Sequence, residues 1–145
     1  MKFTKKLLAM LIMLSLVISM TAVMAFAATT PTISIDGTAL AISSTAGTPY
    51  IDSSDRLQAP IRAISEALGA KVAWDESTST ATINDTIKVK IGASSITTAY
   101  GTVAMDTTAV NKSGRIYVPV RFIASALGYD VNATSSNGKM NADII

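Results

Sequence analysis

Arg56-Leu57-Gln58-Ala59-Pro60-Ile61-Arg62-Ala63-Ile64-Ser65-Glu66-Ala67-Leu68-Gly69-Ala70-Lys71-Val72 returns 59 residues later as Arg115-Ile116-Tyr117-Val118-Pro119-Val120-Arg121-Phe122-Ile123-Ala124-Ser125-Ala126-Leu127-Gly128-Tyr129-Asp130-Val131. Each copy opens on an alternating apolar run, Leu57 and Ala59 or Ile116 and Val118, which reads as a strand. Pro60 and Pro119 follow, and proline is tolerated in the first turn of a helix because its missing N–H had no partner there. Ile61, Ile64 and Leu68, and likewise Val120, Ile123 and Leu127, then fall on one helical face at i, i+3, i+7. Gly69 and Gly128 sit where a left-handed residue ends a helix cheaply. Period-two runs, Ala70-Val72-Trp74 and Tyr129-Val131-Ala133, carry a strand away from each helix. The spacing predicts an α+β fold: an antiparallel β-sheet wrapped on two short helices, from an internally duplicated strand–helix–strand motif.

Outside the shared block the signals favour strands. Ile33 to Leu40 reads as a hairpin around Asp36-Gly37, and Tyr100 to Val103 as its looser counterpart. Thr80 to Ile83 and Thr86 to Ile91 flank Asn84-Asp85, and Ile87, Val89 and Ile91 alternate with Lys88 and Lys90 as in a half-buried antiparallel strand. Linkers are expected at Ser43 to Thr48 and Ser135 to Gly138. The copies span about 33–91 and 96–145. A unit of that size buries only a modest core, so the two are expected to share one, with Ala70 and Trp74 set against Tyr129 and Ala133 in complementary bulk.

The N-terminus reads differently. Lys2, Lys5 and Lys6 precede an apolar stretch from Leu7 to Ala28 that closes on Ala25-Phe26-Ala27, a small-x-small cleavage pattern. Residues 1–27 are therefore expected to be a secretory signal peptide and 28–145 the mature chain, secreted or held at the cell surface. The alternative is an uncleaved leader, long enough to span a bilayer and the chain's one contact with a membrane. Removing the leader leaves 9 basic residues against 10 acidic ones and turns a net charge of +2 into −1. A nucleic-acid partner thereby loses its electrostatic argument. Cysteine and histidine are both absent. Disulfides, thiolate or imidazole metal sites, and catalysis by a His base or Cys nucleophile are excluded, so neither cofactor nor metal is expected.

The repeated Arg-x-x-x-Pro-x-Arg-x-Ile-x-x-Ala-Leu-Gly, with Trp74-Asp75 after it and Asp36-Gly37 before it, resembles the copper amine oxidase N-terminal-like (stalk) domain from about Ile33 to Ala133. The resemblance implies a non-catalytic antiparallel sheet curled around helix, found in exported proteins of mostly Gram-positive bacteria. It does not imply copper, since in the amine oxidases metal and quinone belong to a separate catalytic domain. Two departures stand out: Gln58-Ala59 replaces an apolar pair before Pro60, and Ala133-Thr134 replaces the Trp-Asp of the first copy.

The motif residues are Pro60, Arg62, Leu68, Gly69 and Trp74 in the first copy and Pro119, Arg121, Leu127 and Gly128 in the second. Arg62 and Arg121 fall in a first helical turn, where the macrodipole disfavours a cation. Each is expected to tie a neighbouring strand or loop through carbonyls or a carboxylate such as Asp52, Asp55, Glu66 or Asp106, and so to support the melting temperature. The competing role is binding an anionic wall polymer. Trp74, Tyr100, Tyr117 and Tyr129 read as core or edge packing, with a sugar-stacking platform as the alternative. Asp75 with Glu76, or Asp52 with Asp55, makes a poor glycosidase pair, because sequence neighbours point apart on a strand. Ser136-Asn137-Gly138-Lys139 has Ser-x-x-Lys spacing, but Asn-Gly announces a tight turn rather than the helix that chemistry needs. The expected function is a non-catalytic envelope module that binds a cell-wall polymer or a surface protein. The alternatives are a structural spacer or self-associating matrix protein, and a small carboxylate-based hydrolase.

Overall fold

The computed structural model describes residues 30–136 and 139–145. The expected leader at 1–27 and the Asn137-Gly138 turn lie outside the described residues. Among the described residues, thirteen strands and two helices follow in chain order. The first half contains β1 (Thr32–Ile35), β2 (Thr38–Ala39), β3 (Tyr50–Ile51), β4 (Leu57–Pro60), α1 (Ile61–Ala67), β5 (Val72–Asp75), β6 (Thr80–Ile83) and β7 (Ile87–Lys90). The second contains β8 (Ser95–Thr98), β9 (Gly101–Ala104), β10 (Val110–Lys112), β11 (Arg115–Pro119), α2 (Val120–Ala126), β12 (Val131–Ser136) and β13 (Lys139–Ile144).

The fold is mostly antiparallel sheet with two short helices, an α+β architecture, though one sheet was expected and three are found. A central sheet has the order β10-β11-β4-β3, a meander runs β5-β6-β7-β8-β9, and a terminal sheet has the order β12-β13-β1-β2. One pairing departs from the antiparallel expectation: β1 lies parallel to β13, Ile33 opposite Ala142 and Ile35 opposite Ile144. The two strands are more than a hundred residues apart in sequence, so no tight turn fixes their relative direction. Their side chains secure the pairing, since Asp143 accepts hydrogen bonds from Ser34 Oγ at 2.6 Å and Gly37 N–H at 2.9 Å.

In the central sheet β4 and β11 run antiparallel, with Gln58 opposite Pro119, Ala59 opposite Val118 and Pro60 opposite Tyr117. All four residues of β4 are buried, which corrects the alternating reading: both faces of this strand are covered. Buried Gln58 donates from Nε2 to Asp52 Oδ2 at 2.8 Å, while its Oε1 has no hydrogen-bond partner among the described residues. Pro60 and Pro119 stand one position earlier than expected, as the N-caps of α1 and α2, with extended backbone that also closes the strand. Each helix ends alike. Ala70 N–H reaches Ser65 O at 2.8 Å over Gly69 (φ +78°), and Tyr129 N–H reaches Ala124 O at 2.9 Å over Gly128 (φ +91°).

Helices of seven residues are marginal alone and depend on what they bury. Ile61 and Ile64 of α1 and Val120 and Ile123 of α2 join Ala81, Ile83, Val89 and Ile96 from the meander and Ala142 and Ile144 from the terminal sheet in one core. Leu68 and Leu127, at the helix C-caps, are half-buried against it. Lys88 and Lys90 stay exposed while Ile87 and Val89 are buried, as the alternation in β7 requires. The expected linker at 43–48 is a loop; Ser135 and Ser136 belong instead to β12, whose hairpin with β13 extends to Ser136 opposite Lys139. No helix among the described residues is long and apolar enough to cross a membrane.

Candidate functional site

Beside the first turn of α1 lies an open groove of about 550 Å³. Its floor is Pro60, Ile61, Ala63, Val72, Ala81 and Ile116. Trp74 stands on one side, on strand β5, directly opposite Ala81 of β6 and 41% exposed. The other side is the loop at Thr45 and Ala46 with the β10–β11 hairpin, Asn111 to Arg115. Arg62, Glu66, Glu76 and Arg115 form a charged rim.

A second groove of about 160 Å³ lies beside the first turn of α2. Its lining falls 59 positions from that of the first: Pro119 for Pro60, Val120 for Ile61, Arg121 for Arg62, Val131 for Val72, Arg56 for Arg115 and Leu57 for Ile116. Ala142, opposite Ala133 in the β12–β13 register, stands where Ala81 stands opposite Trp74. In sequence, Phe122 stands 59 positions from Ala63 and Met140 of β13 stands 59 positions from Ala81; Phe122 also lines, with Ser125, a further cavity of about 330 Å³ against Ile96, Tyr100 and Val103.

The loop wall of the open groove is fixed by Gly47, buried at φ +109°. A side chain there would run into the Tyr117 hydroxyl, and would come within 2.9 Å of Arg115 Cδ and 3.0 Å of Pro60 Cγ. Arg115 completes the wall, donating from Nε to Thr45 O at 2.8 Å and from Nη1 to Ser113 O at 3.2 Å. Arg56 makes the reciprocal tie, pairing through Nε with Asp106. These two arginines open the two similar stretches of sequence, Arg56–Val72 and Arg115–Val131, and that shared placement was the signal by which they could have been found. Asp52 accepts from Ser54 N–H, Arg56 N–H, Gln58 Nε2 and Thr107 Oγ1 at 2.8–3.2 Å, binding its loop to the second half. Burial alone pushes the Asp52 pKa up, but hydrogen bonds from Gln58, Arg56, Ser54 and Thr107 outweigh it and hold the carboxyl below its usual range.

The arginines singled out from sequence stand elsewhere. Arg62 and Arg121 are exposed at the groove mouths, and Arg62 meets Glu66 of its own helix at 3.8 Å, with both side chains more than half exposed. Such a pair contributes little. Nor do the four aromatic residues form one platform. Tyr117 is buried against Tyr50, ring centroids 5.3 Å apart, Tyr129 is half-buried, and Tyr100 projects fully into solvent at the β8–β9 turn. Trp74 alone faces the open groove.

Neither candidate carboxylate pair has a catalytic environment. Asp75 is fully exposed, and hydrogen bonds from Ser77 and Thr78 lower its pKa, whereas a general acid needs it raised. Copper does not fit this donor set either: the chain has no His or Cys, and the described residues hold no group of three or more His, Cys, Asp or Glu placed to share an ion. The family model described as Copper amine oxidase N-terminal domain matches residues 34–141. Among curated proteins, none matches the chain.

Proposed function

The chain belongs to the copper amine oxidase N-terminal domain family, whose module is non-catalytic, and from that premise we propose that it is a secreted binding module of the cell envelope. Its targets are a cell-wall polymer or another surface protein, and the open groove beside α1 is where they are held. One observation carries the reading: a concave, largely apolar floor with a half-exposed tryptophan and a charged rim, the usual composition of a ligand site. The basic, then apolar, then small-residue leader supports export.

Two internal copies of one strand–helix–strand unit are part of the proposal. Shifting each residue by 59 and exchanging the strands turns the Gln58–Pro119 pair into the Tyr117–Pro60 pair and returns Ala59–Val118 to itself. That exchange symmetry of the register supports two copies, with one groove beside each helix.

Retention of the purified protein on isolated cell walls tests the function. Retention at moderate salt, lost when Trp74→Ala is introduced, is the expected result. Retention that is indifferent to Trp74 removes the groove from the reading, and no retention, together with no capture of any surface protein, removes the envelope role.

A further inference from the structure

The second groove shows what the first one lacks. On the two-copy reading, Phe122 and Met140 line the second groove at the sequence positions that Ala63 and Ala81 hold in the first, 59 residues earlier. We propose that the open groove receives an extended polypeptide segment of a partner protein, which sets an aromatic or methionine side chain beside Ala63, where the second half carries Phe122 and Met140 of its own. This rests on the two-copy reading and deepens the binding role of the same site.

Three features favour a polypeptide over a glycan. The floor is made of aliphatic side chains and a proline ring, so it presents few hydrogen-bond partners to ring hydroxyls; the polar groups stand on the rim, as in protein interfaces. Strand β5, which carries Val72 and Trp74 into the groove, is the outermost strand of the meander, with one edge unpaired among the described strands. Such an edge accepts an added strand, main chain supplying hydrogen bonds while alternate side chains fill a pocket. The rim charges then select the neighbours of the anchor. Arg62 and Glu66 answer each other and Arg115 is held on carbonyls, while Glu76 forms no ion pair among the described residues. A Lys or Arg beside the anchor complements it.

Trp74 is the chain's single tryptophan, so its fluorescence reports on the groove alone. The probe is a short synthetic peptide of alternating Thr and Lys with one central Phe, compared with the same peptide carrying a central Gly. The Phe peptide should saturate the signal and bind about tenfold or more tightly than the Gly peptide, the scale of one buried anchor. Ala63→Phe copies the residue at Phe122 and should abolish the response while the circular dichroism spectrum is kept. Glu76→Lys should weaken the peptide by about tenfold without touching the core. Equal binding of the two peptides, or binding unchanged in both variants, overturns the proposal. So does a saturable response to chitotetraose that Ala63→Phe removes, which would assign the groove to glycan. If cell-wall retention survives Ala63→Phe while peptide binding never occurs, the envelope role stands and the peptide groove falls.

Discussion

Gly47→Ala should be among the costliest small substitutions in this protein. At φ +109° an L-residue is strained, and that alone costs about 1–2 kcal/mol. The new methyl group would also meet three neighbours that have little room to yield: the hydroxyl of Tyr117, 4% exposed and packed at a tilt against Tyr50, the stem of Arg115, and the ring of buried Pro60. Overpacking of this kind adds about 1–3 kcal/mol. The expected loss is about 2–5 kcal/mol, which for a domain of this size lowers Tm by about 10–25 °C. Gly37→Ala is the control, since Gly37 has φ +75° but nothing within 4 Å of the added carbon. It isolates the backbone strain at about 1 kcal/mol. Thermal unfolding followed by circular dichroism measures both. If Gly47→Ala costs no more than Gly37→Ala, the loop is not wedged against Tyr117, and the rigid wall assigned to the groove is wrong.

Other outcomes follow from the same packing. Ser65 is fully buried with its Oγ unpartnered among the described residues, and the residue 59 positions on is Ala124, also fully buried; Ser65→Ala should raise stability by about 1 kcal/mol in chemical denaturation, and a loss would show that the hydroxyl has a partner. Asp52 has its folded pKa lowered, so its stabilisation is complete above the unfolded carboxylate pKa and is lost as pH falls through the folded value. Asp52→Asn should therefore be less stable than the parent at neutral pH and lose less on acidification below about pH 4, as read from urea midpoints across pH. Arg121→Ala, at an exposed position with no salt bridge among the described residues, should leave stability within about 0.5 kcal/mol. A large drop in its melting temperature would restore the structural role expected for that arginine from sequence.

The frame of this molecule was legible because its signals are local. Pro60 and Pro119, Gly69 and Gly128, and the apolar spacing from Ile61 to Leu68 each act within a few residues, and strand–helix–strand follows at both places. The parallel closure of β1 on β13 was not legible, because pairing across more than a hundred residues leaves no turn to read. Gln58 was visible only as a departure from an apolar pair. Its partner Asp52 sits six residues back across the β3–β4 hairpin, and a buried amide becomes intelligible only with that carboxylate in place.

The groove was hidden for a different reason. Ala63 and Phe122 both lay in the quoted block, but a repeat is recognised by its matches, and this position is a mismatch. Matched positions must preserve what both halves share: the capped helix, the paired strands and the common core. On the proposed two-copy reading, two grooves on one kind of backbone differ through their side chains, and any division of labour between them is written at unmatched positions. Trp74 against Ala133, Ala63 against Phe122, and Ala81 against Met140 are the lining differences between the larger groove and the smaller one. On that reading, the exchange Ala63→Phe with Phe122→Ala should shrink the groove beside α1 and enlarge the one beside α2 while leaving the strand register between β4 and β11 intact.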